Sequence, residues 1–143
     1  MDIRVSFPGG KRVDAQVGDL VVRTDQPVSA GGEGSAPGPF DLFLASIGTC
    51  AGIYALGFCQ ARGLSTEGLS IVQRVDLDPV THLPSSIRVA LTLPKDFPER
   101  YRAAIVRAAE NCRVKKTLAA QPRIEVALAG GDAREETVSC VDA

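Results

Sequence analysis

The chain has 143 residues, 45% of them hydrophobic, which is the length of one domain and enough apolar material for a single core. Its 16 basic residues are balanced by 17 acidic residues, so the formal net charge is -1. This balance provides no basic surface for nucleic acid or an anionic membrane, and neither partner is expected.

The N-terminal part is predicted to be a meander of three strands. Apolar and polar residues alternate over residues 2–7, and a Pro-Gly-Gly turn signal follows. Further strands are predicted over residues 12–17 and 20–24. Residues 25–38 are rich in Gly, Pro and Ser without periodicity, which predicts a mobile connector.

One long helix is predicted over residues 39–62, because this stretch has no internal proline and Gly63 can end it. Apolar residues occupy most of its circumference, which predicts burial nearly all round. Three glycines each cost about 1 kcal/mol relative to alanine in a helix interior, so a neighbouring backbone is expected to approach closely. They are Gly48, Gly52 and Gly57. We expect that neighbour to be a second copy of the helix.

The second half is predicted to contain a hairpin and two helices. Residues 69–77 and 87–93 are rich in β-forming residues, and a loop bounded by prolines joins them. A helix is expected over residues 99–111 after Pro98, and a short helix continues to Leu118.

Residues 124–128 alternate like a final amphipathic strand, and residues 130–143 are typical of a polar tail. The order βββ-α-ββ-αα-β predicts an α+β fold of antiparallel sheets. Without internal repeats or a shift in composition, residues 1–143 are expected to form a single domain.

The N-terminus has no apolar run of signal-peptide length, and no stretch is expected to reach the roughly 20 apolar residues that span a bilayer. A cytoplasmic location is therefore predicted, where thiols stay reduced and a framework of structural disulfides is disfavoured. The single histidine, His82, disfavours a hydrolase, and no pair of Cys or His residues has metal-binding spacing. We expect neither a metal nor a nucleotide cofactor.

The four cysteines differ in their surroundings. Cys50 lies in the predicted central helix among small residues, which leave its sulfur room to meet a small substrate. Cys59 follows nine residues later on nearly the opposite side of the helix and is interpreted as a core residue. Cys112 ends a helix beside basic residues, which would favour a thiolate if they point inward, but a structural thiol fits equally well. Cys140 is interpreted as incidental.

The run PGPFDLFLASIGTCAGIYALGFCQARGL resembles the central helix of the OsmC/Ohr family, in which a P-x-x-L-[LF] motif precedes the first conserved cysteine. Here the motif is formed by residues 39–43, and the cysteine is Cys50. The segment AENCRVKKTL resembles the family's second cysteine segment, with Cys112 following Cys50 by 62 residues. The order of hairpins and helices also matches, so the resemblance covers nearly the whole chain.

The resemblance implies an intertwined homodimer, in which sheets wrap around two long central helices and active sites lie at the subunit interface. It also implies that Cys50 is the peroxidatic cysteine and Cys112 the resolving cysteine. Cys50 would reduce an organic hydroperoxide and become a sulfenic acid. Cys112 would then form a disulfide with it, and an external dithiol would reduce that disulfide.

The sequence departs from the peroxidase subgroups at three points. They usually have Glu directly after the proline of the motif, whereas this chain has Phe40, with Asp41 one position later. They usually follow the second cysteine with proline, and here the residue is Arg113. Their activating arginine comes from the N-terminal meander, where Arg12 and Arg23 are both candidates, with Arg113 as a third.

These departures leave two alternatives to a peroxidase. One is a dimeric OsmC-like protein that binds a ligand or uses its thiols without efficient peroxidase activity. The other is a purely structural dimer, in which Cys50 would be inert to small alkylating reagents.

Overall fold

The computed structural model describes residues 1–128 and has the predicted α+β architecture with antiparallel sheets. The strands are β1 (Ile3–Gly9), β2 (Arg12–Val17), β3 (Leu20–Val22), β4 (Ser70–Leu77) and β5 (Pro84–Thr92). The helices are α1 (Pro39–Gln60), α2 (Arg102–Glu110) and α3 (Arg113–Ala120), with single 3-10 turns at Val28–Ala30 and Glu99–Tyr101. The predicted polar tail, including Cys140, lies outside the described residues.

The N-terminal sheet has the predicted strand order β1-β2-β3, with every neighbour antiparallel. The third strand ends at Val22, two residues earlier than predicted. At Thr24 one backbone bond remains, from the Val13 N–H to the Thr24 carbonyl at 3.2 Å, because the Thr24 hydroxyl takes the Val13 carbonyl and the Thr24 N–H donates to Asp14 Oδ1 at 3.4 Å. The chain then turns away from the sheet into the connector.

The connector was predicted to be mobile, but the structure shows that it is organised around Asp25. This carboxylate is buried and accepts hydrogen bonds from the N–H groups of Gln26, Glu33 and Ser35, as well as from the Ser35 hydroxyl. The Asp25 N–H also donates to Pro37 O at 3.3 Å, which ties the two ends of the loop together. These hydrogen bonds position the start of α1.

Gly32 shows how closely the connector folds on itself. A Cβ atom at this position would lie 1.9 Å from the Gln26 carbonyl oxygen, which is part of the backbone and cannot move aside locally. The loop therefore requires glycine here.

The hydrogen bonds to Asp25 lower its pKa from 3.8 to about 2, with those from Ser35 contributing most. Because the folded pKa is depressed, the carboxylate contributes stability above about pH 4, and this contribution is lost as pH falls toward 2. We expect Asp25→Asn to lower the melting temperature at neutral pH and to show a much smaller deficit near pH 2.5. Thermal unfolding followed by circular dichroism at the two pH values measures the melting temperatures. Asp19→Asn, which changes an exposed turn residue in the same way, is the control. Equal deficits at both pH values would contradict it.

Helix α1 begins and ends close to its predicted limits. Pro39 occupies the first turn, and Asp41 Oδ2 accepts a hydrogen bond from the Gly38 N–H at 2.9 Å. After Gln60 the chain passes through a turn to Gly63, whose φ of +60° favours glycine and stops the helix.

Within one chain, α1 is buried along one face rather than all round. The buried residues of this face are Ile47, Ala51, Ala55, Phe58 and Cys59. They pack mainly against α2, where Ile105 and Ala109 are buried. On the other side, Ile53 and Tyr54 are exposed. The predicted all-round burial is therefore not achieved by a single subunit.

Two of the three helix glycines face β4 of the same chain, which corrects the expectation of a second helix as their neighbour. A Cβ at Gly48 would lie 3.0 Å from Gln73 Oε1, and one at Gly52 would lie 3.7 Å from Ile71 Cδ1. Gln73 Nε2 also donates to Leu44 O of α1 at 2.9 Å. Gly57 has open space around its Cα, so its place in the helix is not explained by contacts within the chain.

By length and composition alone, α1 could cross a membrane, since its most apolar window has a mean hydropathy of 1.8. The sequence-based expectation that no stretch is long and apolar enough to span a bilayer is therefore wrong. A core helix passes the same test, and α1 packs against α2, α3 and β4. Its contacts therefore identify it as the central helix of this fold.

The second hairpin is confirmed, although β5 begins at Pro84, three residues earlier than predicted. Proline is tolerated as the first residue of a strand because its missing N–H lies outside most of the ladder. The predicted final strand is wrong for the single chain: residues 124–128 form no strand, and Ile124, Val126 and Leu128 are exposed. A strand needs a neighbour for its backbone hydrogen bonds, and neither sheet of this subunit pairs with the segment.

Candidate redox site

Cys50 lies in the middle of α1 and is partly exposed. Ile47 and Ala51 on the same helix are buried, and at about 100° per residue they lie roughly 60° and 100° around the axis from Cys50. Cys50 is therefore placed at the border between the buried face and the exposed face. A small molecule can approach this border more easily than it can reach the core.

Cys112 caps the N-terminus of α3 and is 2% exposed. Its Sγ accepts a hydrogen bond from the Lys115 N–H at 3.3 Å, as an N-cap side chain commonly does. The helix N-terminus favours negative charge at this position. Arg113, the basic residue directly after Cys112, is exposed. The basic residues that lie close to Cys112 in the sequence therefore do not all surround its thiol.

A cavity of about 360 Å³ brings Cys112 together with α1. Its walls come from α1, β5, α2 and α3. The apolar lining residues are Ile47, Ala51, Ile87, Val89, Leu91, Val106, Ala109 and Leu118, and the remaining ones are Cys112, Arg88, Glu110 and Lys115. Cys50 itself does not line the cavity, but Ile47 and Ala51, its neighbours on α1, do. Cys112 thus lies in one wall of the cavity, and Cys50 lies on α1, which forms an adjoining wall. Both cysteines are free thiols.

Sequence reasoning did not identify Arg88 or Glu110 as cavity residues. Arg88 alternates with Ile87 and Val89, whose side chains are partly buried, and that pattern places an arginine on the outer face of a strand. The cavity reaches β5 because of how this strand packs against α2 and α3, for which the sequence carries no local signal.

Cys59 is a core residue, as predicted. Its side chain is fully buried in a cluster with Ala55, Phe58 and Ile105. Burial raises the pKa of the Cys59 thiol, and the nearby positive charge of Arg62 opposes this only in part. The environment therefore favours the neutral, unreactive form.

The three candidate activating arginines do not line the Cys112 cavity. Arg12 starts β2, Arg23 follows β3 and Arg113 starts α3, and all three are exposed. Within one chain the structure therefore does not distinguish among them.

The residues around the missing glutamate have other partners. Phe40 stacks on Phe43 with ring centroids 5.7 Å apart. The carboxylate of Asp41 accepts the hydrogen bond from Gly38 that caps α1. Asp41 therefore serves the helix start rather than replacing the glutamate that follows the proline in the peroxidase subgroups.

His82 lies in the loop between β4 and β5, where its backbone N–H donates to the backbone carbonyl of Asp78 at 2.9 Å. Among residues 1–128, no group of three His, Cys, Asp or Glu side chains could bind a metal ion. In this part of the chain, the cysteines are the groups suited to redox chemistry.

The two antiparallel sheets, the long central helix with Cys50 and the helix-capping Cys112 define a small α+β thiol protein. Residues 32–127 match the OsmC-like protein family. Because this match covers well over half of the sequence, the chain belongs to the OsmC-like family. The sequence has no significant match among curated proteins.

Solved structures of low sequence identity share the fold. An OsmC-like protein from Mycoplasma pneumoniae is 14% identical, with a TM-score of 0.64 over 84% of this chain and 87% of its own. An OsmC-like hydroperoxide resistance protein from Jannaschia sp. CCS1 is 21% identical, with a TM-score of 0.57 over 95% of both chains. A candidate osmotic stress and detoxification response protein from Psychrobacter arcticus 273-4 is 20% identical, with a TM-score of 0.68 over 80% of this chain and 85% of its own.

Proposed function

We propose that this protein is a cytoplasmic thiol peroxidase that reduces organic hydroperoxides. The Cys50 thiolate attacks the distal oxygen of the hydroperoxide, the O–O bond breaks, and the alkoxide takes up a proton to leave as an alcohol. Cys50 is then a sulfenic acid. The Cys112 sulfur displaces its hydroxyl as water and forms a Cys50–Cys112 disulfide, which an external dithiol reduces by thiol exchange.

Membership of the OsmC-like family, together with structural neighbours named for hydroperoxide resistance, supports a peroxide-related redox role. The observation that carries the finer proposal is the cavity at which Cys112 meets α1, because Cys112 lines it together with Ile47 and Ala51, two residues close to Cys50 on that helix. The partly exposed Cys50 suits attack on a substrate, whereas the buried Cys112 suits a later internal reaction.

The substrate preference follows from the surroundings of α1. The exposed, stacked rings of Phe40 and Phe43 lie near the start of the helix, and we expect them to contact an alkyl tail together with the partner subunit's helix. Because Arg12, Arg23 and Arg113 are all exposed in one chain, we also expect the activating arginine to come from the partner subunit.

We further propose that the functional unit is a homodimer, because one subunit leaves an apolar face of α1 uncovered. Ile53 is 59% exposed, and Tyr54 and Gly57 lie beside it in a shallow apolar depression. Exposed apolar surface costs about 25 cal/mol per Å² relative to burial, so a partner subunit would stabilise this face. Sedimentation analysis at micromolar concentration is expected to show a dimer.

The variant Ile53→Asp is expected to dissociate the dimer by placing a charge in its apolar interface. Val80→Asp, which adds the same charge in the exposed loop between β4 and β5, should leave the dimer intact. A stable wild-type monomer, or identical sedimentation of both variants, would contradict the proposed interface.

One alternative is an OsmC-like dimer that binds a ligand or uses its thiols without efficient peroxidase activity. The capping role of Asp41 and the exposure of the candidate arginines favour it, since neither supplies an activating carboxylate–arginine pair beside Cys50. A thiol count after addition of an organic hydroperoxide distinguishes the two functions. The peroxidase consumes two thiols per chain, whereas the alternative consumes none at a comparable rate.

A further inference from the structure

Tyr54 lies one helical turn after Cys50 on α1. At about 100° per residue, the two positions are roughly 40° apart around the helix axis, and residues with this spacing have Cβ atoms about 5–6 Å apart. Long side chains in an α-helix lean toward its N-terminus and cover the preceding turn. For Tyr54, the preceding turn is the one that carries Cys50. The geometry of the helix therefore directs the phenol ring toward the thiol.

The hydroxyl of Tyr54 is available for a reaction, whereas the other hydroxyls close to Cys50 on α1 are not. Ser46 and Thr49 donate theirs to backbone carbonyls of the preceding turn, at 2.6 and 2.8 Å. Within residues 1–128, the Tyr54 hydroxyl makes no hydrogen bond to the protein, and the residue is 39% exposed. A substrate bound at Cys50 can therefore accept a hydrogen bond from it.

Tyr54 is also the remaining acid on α1. The helix has four ionisable side chains, of which Cys50 is the proposed nucleophile. The Asp41 carboxylate caps the helix, and Cys59 is fully buried in the core. An arginine near Cys50 could stabilise negative charge but could not give up its proton. A phenol keeps its proton at neutral pH and can transfer it to a stronger base.

A proton is needed at one particular step of hydroperoxide reduction. When a thiolate attacks an organic hydroperoxide, the O–O bond breaks and a strongly basic alkoxide departs. The step is faster when an acid protonates this oxygen as the bond breaks. The depression beside Tyr54 is lined by Ile53, Gly57, Phe58 and Ala108, and none of these residues can supply a proton.

We propose that Tyr54 is the general acid of this step, an inference that rests on the proposed peroxidase function. The Cys50 thiolate forms a bond to the distal oxygen, the O–O bond breaks, and the Tyr54 hydroxyl transfers its proton to the departing alkoxide. The products are the Cys50 sulfenic acid, the alcohol and a phenolate, which regains a proton from water. The sulfur loses two electrons, and the peroxide bond gains them.

Tyr54→Phe removes only the hydroxyl, and two oxidants with different leaving groups test its role. tert-Butyl hydroperoxide releases a basic alkoxide that needs a proton, whereas peracetic acid releases acetate, which needs none. Rapid quenching of the reduced, full-length protein and peptide mass mapping measure how fast Cys50 is oxidised by each. We expect Tyr54→Phe to slow the reaction with tert-butyl hydroperoxide about a hundredfold and to leave the reaction with peracetic acid unchanged.

Two controls separate proton donation from a structural role. Alkylation of Cys50 by iodoacetamide requires the thiolate but releases iodide, so Tyr54→Phe should not change its rate. Tyr101→Phe removes the hydroxyl of the chain's other tyrosine, whose ring packs edge to face on Phe58. All three rates should then equal those of the wild type. Both variants should also sediment as the wild type does.

Several results would assign Tyr54 a structural role and overturn the inference. They are equal losses of rate with both oxidants, slower alkylation, or altered sedimentation of Tyr54→Phe. An unchanged rate with tert-butyl hydroperoxide in this variant would overturn it as well, while the activity of the wild type would leave the peroxidase function in place. If Cys50 of the wild type reacts with tert-butyl hydroperoxide no faster than free cysteine does, the proposed function itself fails, and the role of Tyr54 fails with it.

Discussion

Replacement of Cys50 by serine is expected to remove hydroperoxide reduction. The thiolate is the nucleophile in this chemistry, and a serine hydroxyl is far less acidic and cannot form a sulfenic acid. We expect the rate of tert-butyl hydroperoxide consumption, with dithiothreitol as the external dithiol, to fall at least about a thousandfold. Because Cys50 is partly exposed and serine is close in size, the fold should survive the change.

Cys59 provides the matched control on the same helix. It lies on nearly the opposite side of α1 and is fully buried in the core, where burial raises the pKa of its thiol. Cys59→Ala avoids placing a hydroxyl among apolar side chains and should keep most of the activity, as should Cys140→Ser in the tail. If Cys50→Ser keeps full activity while Cys59→Ala loses it, the peroxidatic cysteine is Cys59 and the proposed chemistry is misplaced.

The elements that could be predicted from the sequence are those fixed by local signals. Pro39 and Gly63 enclose α1 because proline suits a first helical turn and a positive φ suits glycine. In the same way, the alternation of apolar and polar residues, together with the turn residues between the strands, predicted the two hairpins. Cys59 was recognisable as a core residue because a cysteine in an apolar helix is most often a small buried side chain, and the structure confirms its burial.

The features that sequence reasoning missed depend on contacts between distant residues. The connector contains the residues of a mobile loop, yet Asp25 collects hydrogen bonds from residues as far away as Ser35. Gly48 has β4 as its neighbour because the Gln73 side chain contacts α1. No local sequence pattern predicts that contact. Residues 124–128 have the alternation of a strand but no strand to pair with in one subunit.

The sequence suggests the cysteines of the candidate site but not the residues that surround them. Cys50 and Cys112 follow from the family motifs, whereas the cavity that joins α1 to Cys112 arises from the packing of four elements. The Asp41 carboxylate illustrates the difference. In the sequence it stands one position from the glutamate of the peroxidase subgroups, but in the structure it caps α1. The roles of the two cysteines stay a prediction from the motifs, and the structure places the Asp41 carboxylate in the cap of α1.

A Cys50–Cys112 disulfide is expected after one equivalent of organic hydroperoxide is added to the reduced wild-type protein. The Cα atoms of a disulfide lie within about 7 Å of each other, and α3, whose N-cap is Cys112, already packs against α1. The Cys112 sulfur accepts a hydrogen bond from the Lys115 backbone N–H at 3.3 Å and so caps α3. Peptide mass mapping without reduction identifies the linked peptides directly.

In Cys112→Ser, serine can still cap α3, so this variant separates the redox role of Cys112 from its structural role. Without a resolving thiol, the Cys50 sulfenic acid should accumulate and convert irreversibly to sulfinic and sulfonic acids under excess peroxide. Mass shifts on the Cys50 peptide measure this, and unchanged melting temperature shows that the helix cap is intact. If the wild type forms no such disulfide, or pairs Cys50 with Cys59, Cys112 is only a helix cap. The binding protein without efficient peroxidase activity then becomes the better description.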